Sequence, residues 1–197
     1  MNVLERIVHL DLRLFYKING VWTNHFFDNV FPYLRESIIW IPLYLFLLLF
    51  SCMNFGLKGV YWCIAFLCMA SLCDIMSSHV IKEFVFRPRP CRSPGLEGSM
   101  RLLVVYCPQS SSFVSSHATN HFGAAMFLFT TWRKLFSNWI LVFFVWAAAI
   151  AYAQVYVGVH FPVDVICGAL LGTLIGAISG NFHNRYIGLG RLPITNQ

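Results

Sequence analysis

The stretch FPVDVICGALLGTLIGAIS, residues 161–179, carries a single charged side chain, Asp164. A hydrocarbon core of roughly 30 Å is crossed by a helix of about 18 or more apolar residues, and this run is long enough. Four further runs span that thickness or nearly so, at 38–55, 60–80, 118–132 and 139–159. The composition agrees: 58% of the residues are hydrophobic and 11% charged, against roughly 25% charged in a soluble domain. The expected fold is all-α, a polytopic membrane bundle of about five transmembrane helices in one membrane-embedded domain over residues 1–197.

The first 35 residues differ, because Glu5, Arg6, Asp11, Arg13 and Lys17 interrupt an apolar pattern. No uninterrupted apolar core follows a basic start, so a cleavable signal is not expected. Residues 4–18 are expected to form an amphipathic helix lying on the membrane surface, with an ordinary packed terminal helix as the alternative. The net charge of +6 then points to anionic lipid or an anionic substrate rather than to nucleic acid.

One extended polar segment remains, the loop at 84–113, with Arg87, Arg89, Arg92 and Arg101 among several prolines and a serine run. Prolines this dense end the preceding helix and hold the chain extended. By parity, the helix ends near Lys82, Ser115, Gly158 and Phe161 share one face of the membrane. Lys58, Arg133, Lys134, Arg185 and Arg191 fall on the other and mark it as cytoplasmic under the positive-inside rule. Cys91 and Cys107 flank part of the loop. In an oxidising compartment they are able to pair, closing a loop worth roughly 3 kcal/mol in the chain-entropy model, and otherwise they are two free thiols. Gly168, Gly172, Gly176 and Gly180 form a stripe suited to close helix packing, within the chain or between copies.

Three polar clusters converge on the shared face. In KEFVFRPRP, residues 82–90, Lys82, Arg87 and Arg89 set cations in a stiff frame that suits a phosphate or, alternatively, lipid headgroups. In SFVSSHATNHF, residues 112–122, Ser115, Ser116 and His117 open a helix whose free amides attract anions, although a serine there is also an ordinary N-cap. In VGVHFPVDV, residues 157–165, Asp164 stands one turn beyond His160, able to hold its tautomer and stabilise its cation. Anion binders, an oriented histidine and a second histidine together suit phosphoryl transfer. Asp74, Ser78 and Lys82 share a helix face, and Asp74 is expected to meet a polar partner inside the bundle. His117 and His121 invite a metal reading that lacks the glutamate of the zinc protease motif.

These residues resemble the type 2 phosphatidic acid phosphatase superfamily of integral membrane lipid phosphate phosphatases, in its bacterial branch. The pattern is Lys, six residues, Arg-Pro; then Pro-Ser-Gly-His; then Ser-Arg, five residues, His, three residues, Asp. The first motif is complete in Lys82, Arg89 and Pro90. The second reads Val114, Ser115, Ser116, His117. The third reads Ala153, Gln154, then His160 and Asp164 at the expected spacing.

The resemblance implies that His160 attacks phosphorus to form a phosphohistidine, that Asp164 orients it, and that His117 protonates the leaving oxygen. Lys82, Arg89, Ser115, Ser116 and Gln154 would hold the phosphoryl oxygens, with no metal and no cofactor. Gln154 departs from the family's arginine and loses a cation; either Arg87 or Arg101 compensates, or turnover is slower. The implied function is hydrolysis of a phosphate or diphosphate from a membrane lipid, lipid A phosphate or undecaprenyl diphosphate, at the outer face of a bacterial inner membrane. A lipid-to-lipid phosphotransferase and a non-catalytic lipid-phosphate binder are the alternatives. The oligomeric state is open.

Overall fold

The computed structural model describes residues 2–96 and 98–190; Arg191 lies outside them. Among the described residues every regular element is helical. Four helical runs are long and apolar enough to cross a bilayer: Ser37–Phe55, Leu57–Phe84, Ser116–Tyr156 and Pro162–Tyr186. The third, of 41 residues, is broken at Ser137, which takes a positive φ of 51°. Its halves are helices α6 (Ser116–Phe136) and α7 (Val142–Tyr156). They are antiparallel, since His121 meets Trp146 while Phe129, two turns further along α6, meets Phe144. The bundle therefore makes five passes: α3 (Ile41–Phe55), α4 (Leu57–Asp74) continued through a π-helical turn (Ile75–Val80) into α5 (Ile81–Phe84), then α6, α7 and α8 (Pro162–Tyr186).

Lipid tails are as apolar as leucine, so burial alone does not drive these helices together; close backbone packing does. The glycine stripe of α8 supplies it inside the chain. A Cβ on Gly172 would sit 2.0 Å from the Thr119 carbonyl oxygen, and one on Gly176 would sit 2.3 Å from that of Gly123. The stripe is thus consumed by α6, which runs parallel to α8, and is not a dimer face. Ile166, Leu170, Leu174 and Ile178 are exposed along α8 and would face lipid. Gly172→Ala is expected to force the two backbones apart, lowering stability by about 1–3 kcal/mol as overpacking does. Gly180→Ala meets the Thr130 side chain instead, and its smaller loss in detergent-solubilised melting temperature is the control.

The N-terminal segment is more embedded than a surface helix. In α1 (Val3–Tyr16), capped by Asn2, Phe15 is fully buried against Phe161 and Asp11 is buried beneath the start of α8. Val3, Leu4, Ile7 and Val8 stay exposed, so one side is free for lipid while the other packs. A second helix, α2 (His25–Leu34), follows a π-helical turn (Lys17–Val21). Asn24 caps it through a hydrogen bond from the Phe26 amide, and Phe31 packs edge-on to Tyr152 and Tyr156 of α7.

Candidate active site

The expected parity holds. The end of α5 and the starts of α6 and α8 meet, with Lys82 Nζ donating to Ser116 Oγ at 2.8 Å and the Ser115 amide to the Asp164 carbonyl at 3.1 Å. A cavity of 340 Å³ opens there, lined by Lys82, Arg89, His117 and His160, with Asp74 and Arg35 at its wall. Lys58, Arg133, Lys134 and Arg185 belong to the opposite helix ends.

The 84–113 loop delivers Arg89. Pro90 keeps Arg89 extended, as a residue before proline is biased to be. The guanidinium donates to the Ser110 carbonyl and hydroxyl, both at 3.0 Å, and to the Val159 carbonyl at 3.1 Å. A disulfide joins Cys91 to Cys107 and closes the loop close to Arg89 and Ser110. Burial pushes the Arg89 guanidinium down to about 10 with Asp164 opposing, so it remains a cation at neutral pH.

His160 is buried in the turn between α7 and α8. Gly158, at φ +88°, makes that turn possible, because a Cβ there would sit 2.4 Å from the Arg101 carbonyl oxygen. Arg89 Nη1 lies 3.1 Å from His160 Nε2, and the ring's other nitrogen faces Asp164 Oδ2 at 3.6 Å and Ser112 Oγ at 3.4 Å. Two oxygen acceptors on that side place the proton on Nδ1, so Nε2 carries the lone pair and accepts from Arg89, which that lone pair must release before it can attack. Burial pushes the imidazole down to about 4, with the Asp164 contact opposing, so His160 is neutral at neutral pH.

Asp164 is itself held from several sides. It accepts from Arg87 Nη1 at 2.5 Å, Ser112 Oγ at 2.5 Å and the Phe161 amide at 2.9 Å. Arg87 also donates to Asp11, whose other oxygen accepts from the Val163 amide at 2.8 Å. Burial works against the Arg87 charge, but Asp164 and Asp11 outweigh it and raise its pKa. The helix α1 thus anchors, through Arg87, the carboxylate that faces His160.

The remaining motif residues divide. Ser116 lines the cavity, its hydroxyl held by Lys82 and by Ser78 at 2.8 Å; its backbone is helical, so the missing glycine leaves no strain. Ser115 is fully buried and acts as the N-cap of α6, accepting from the Ala118 amide; it is not on the cavity wall. Gln154 is also fully buried behind the wall and accepts from Arg35 Nε at 3.1 Å. Asp74 is exposed at the cavity wall rather than buried in the bundle, with Ser78 as its polar partner 3.1 Å away. His121 uses Nδ1 on the His117 carbonyl and Nε2 on the Tyr44 hydroxyl, which leaves it no lone pair for a metal.

Neither expected substitute for the lost arginine is available. Arg87 is spent on Asp11 and Asp164, and Arg101 pairs with Asp28 while lying over the Tyr156 ring. Asp28 also accepts from the Tyr156 hydroxyl at 2.6 Å. Ser112, Asp11 and Arg35 are the site residues that no motif marks. For Asp11 a signal existed, since it falls on the same α1 face as Ile7 and Phe15, four residues from each, where a carboxylate is out of place without a partner.

The model of the PAP2 superfamily matches residues 59–187, the stretch that carries every motif residue described above. The chain belongs to the PAP2 superfamily. It is 28% identical over 176 residues to the lipid A 4'-phosphatase of Porphyromonas gingivalis, covering 88% of this chain and 72% of that protein. It is 33% identical over 144 residues to the undecaprenyl-diphosphatase of Sulfolobus acidocaldarius, covering 73% and 63%. Among solved structures it is similar to Aquifex aeolicus LpxE, with a TM-score of 0.64 and 30% identity over 86% of this chain and 94% of that one. The phosphatidylglycerolphosphate phosphatase of Bacillus subtilis, at a TM-score of 0.62 and 21% identity over 94% and 89%, shares the fold. The chain is therefore a multi-pass membrane phosphatase of the PAP2 type acting on membrane lipid. Gln154 lies inside the matched segment, and Arg35, from outside it, is bonded to it.

Proposed function

We propose that this protein hydrolyses a phosphate or diphosphate group from a membrane lipid, lipid A phosphate or undecaprenyl diphosphate, through a phosphohistidine at His160. The observation that carries the reading is the convergence of Arg35, Lys82 and Arg89 with His117 and His160 on one cavity at a helix-bundle end. Three cations gathered against a single acidic wall residue, Asp74, need an anion.

In the first step His160 Nε2 attacks phosphorus, the P–N bond forms, and the bond to the lipid oxygen breaks. His117, protonated in the complex with the anionic substrate, gives that proton to the oxygen. In the second step neutral His117 takes a proton from water, the oxygen attacks phosphorus, and the P–N bond breaks to release inorganic phosphate. Arg89 and Lys82 balance the charge that grows on the phosphoryl oxygens, the largest single source of rate in such reactions.

The reading assigns the cavity to the outer face of a bacterial inner membrane. Two features support this: the Cys91–Cys107 disulfide, which belongs to an oxidising compartment, and the basic residues at the opposite helix ends. The names of the relatives support lipid A phosphate and undecaprenyl diphosphate. The test is phosphate release by the purified protein against lipid A, undecaprenyl diphosphate, phosphatidic acid and phosphatidylglycerol phosphate. Release of phosphate from one of the first two with no second lipid present is expected. Release that requires a second lipid hydroxyl would make it a transferase, and none from any lipid would sink the reading.

A further inference from the structure

Arg35 stands at the C-terminal end of α2, outside the segment that the superfamily matches. Phe31, one turn earlier on the same face, packs against Tyr152 and Tyr156, the residues two before and two after Gln154. This packing sets the guanidinium over Gln154, whose Oε1 accepts from Arg35 Nε at 3.1 Å. Nη1 lies 2.7 Å from Glu36, which is half exposed. The Arg35 side chain is 12% exposed and shares the cavity wall with Arg89, His117 and His160.

A buried cation normally faces a buried carboxylate or a ligand anion. Among the described residues the only carboxylate on Arg35 is the half-exposed Glu36; its buried side faces the neutral Gln154 amide, and two further cations, Lys82 and Arg89, stand across the cavity. Gln154, for its part, is fully buried with Nε2 unpaired, so the amide's one evident task is to aim the guanidinium. Its backbone carbonyl also accepts from the Val159 and His160 amides at 3.2 and 3.3 Å, so aiming residue and nucleophile are tied through one peptide unit.

We propose that Arg35 is the third phosphoryl-binding cation of this enzyme, and that Gln154 is its positioning residue. The charge that the superfamily pattern carries on α7 is delivered here from α2, with the amide left behind as its holder. Arg35 uses Nη2, the nitrogen engaged by neither Gln154 nor Glu36, on an oxygen of the transferring group. The inference rests on the phosphatase reading, so its test includes an arm that needs no lipid.

That arm is thermal protection by orthovanadate, which adopts the five-coordinate geometry of a phosphoryl group in transfer. Wild type is expected to be stabilised, and Arg35→Ala to lose most of that shift while its melting temperature without vanadate stays near the wild-type value. In turnover, Arg35→Ala is expected to lower kcat/KM by about 10²- to 10³-fold, as loss of one transition-state donor does. The loss should fall mainly on kcat, with Arg35→Lys between the two. The exchange variant Arg35→Gln/Gln154→Arg should exceed Arg35→Gln alone by at least about tenfold, because the two sites are coupled.

Vanadate protection and turnover of Arg35→Ala within about threefold of wild type would overturn the proposal. So would an exchange variant that folds, judged by its melting temperature, yet is no better than the single variant. If wild type releases no phosphate from any lipid but Arg35→Ala still loses vanadate protection, the substrate reading fails and the role of Arg35 stands.

Discussion

His160→Ala is expected to reduce phosphate release by at least about 10⁴-fold, to the level of the lipid alone, since removing a nucleophile removes the covalent route entirely. Apart from His117, which the proposed mechanism uses for proton transfer, no other side chain on the cavity wall is poised to take its place. The Ser116 hydroxyl is held between Lys82 and Ser78, and His121 has both ring nitrogens engaged. The acid side of the wild-type pH profile tests the same assignment. Attack requires the unprotonated ring, and burial holds His160 near about 4, below the ordinary value of about 6.5. The limb of kcat/KM governed by this group is therefore expected near pH 4, and a limb near 6.5 tied to His160 would contradict the buried geometry. Stability follows the same sign. Between those two pH values the unfolded chain binds a proton that the folded one does not, so the contribution of His160 is present above about pH 6.5 and is lost as pH falls toward 4.

Asp164→Asn is expected to cost about 10³- to 10⁴-fold in kcat with little change in KM, the scale seen when a histidine loses its orienting carboxylate. Asparagine keeps the volume but converts one acceptor into a donor. If its amide nitrogen faces Ser112 and His160, the Nδ1 proton loses its carboxylate acceptor and keeps only Ser112 Oγ, so the tautomer with the Nε2 lone pair is less favoured. If it faces Arg87, two donors oppose each other beside a guanidinium. Either way Arg87 keeps Asp11 as its one carboxylate partner, and the fold should lose on the order of 3 kcal/mol, as when one partner of a buried pair is removed. Asp11→Asn separates the two effects. Asp11 touches Arg87 and the Val163 amide but not His160, so it should lower the melting temperature while kcat stays within about tenfold of wild type. A comparable collapse of kcat in Asp11→Asn would mean that Asp164 acts by holding the fold rather than the histidine.

The five passes and the polar loop are legible from spacing, and the residues Lys82, Arg89, His117, His160 and Asp164 from spacing together with the resemblance to the superfamily's motifs. Their spacing is local: a helix turn sets His160 against Asp164, and the prolines stiffen the frame of Arg89. The partners that finish the site are separated from it by long stretches of chain. Asp11 reaches Val163 across 152 positions, Arg35 reaches Gln154 across 119, and Ser112 reaches Asp164 across 52. Nothing in the neighbourhood of those residues announces the pairing. The N-terminal segment illustrates the limit: its amphipathic pattern names a helix with one apolar side but not the surface it covers, and here that surface is the start of α8.

By itself the sequence determined that this is a membrane-spanning helical chain with a phosphate-directed site at one end, because hydrocarbon thickness, proline geometry and helix periodicity act on neighbouring residues. Only the tertiary structure decided which cations are free to meet a substrate. Arg87 is taken up by Asp11 and Asp164 and Arg101 by Asp28, whereas Arg35, with only the half-exposed Glu36 beside it, is carried to the cavity by an aromatic contact between α2 and α7. The reason is physical: a charge does its work through what stands within a few ångströms of it, and in a bundle of helices that neighbourhood is set by packing between segments far apart in the chain.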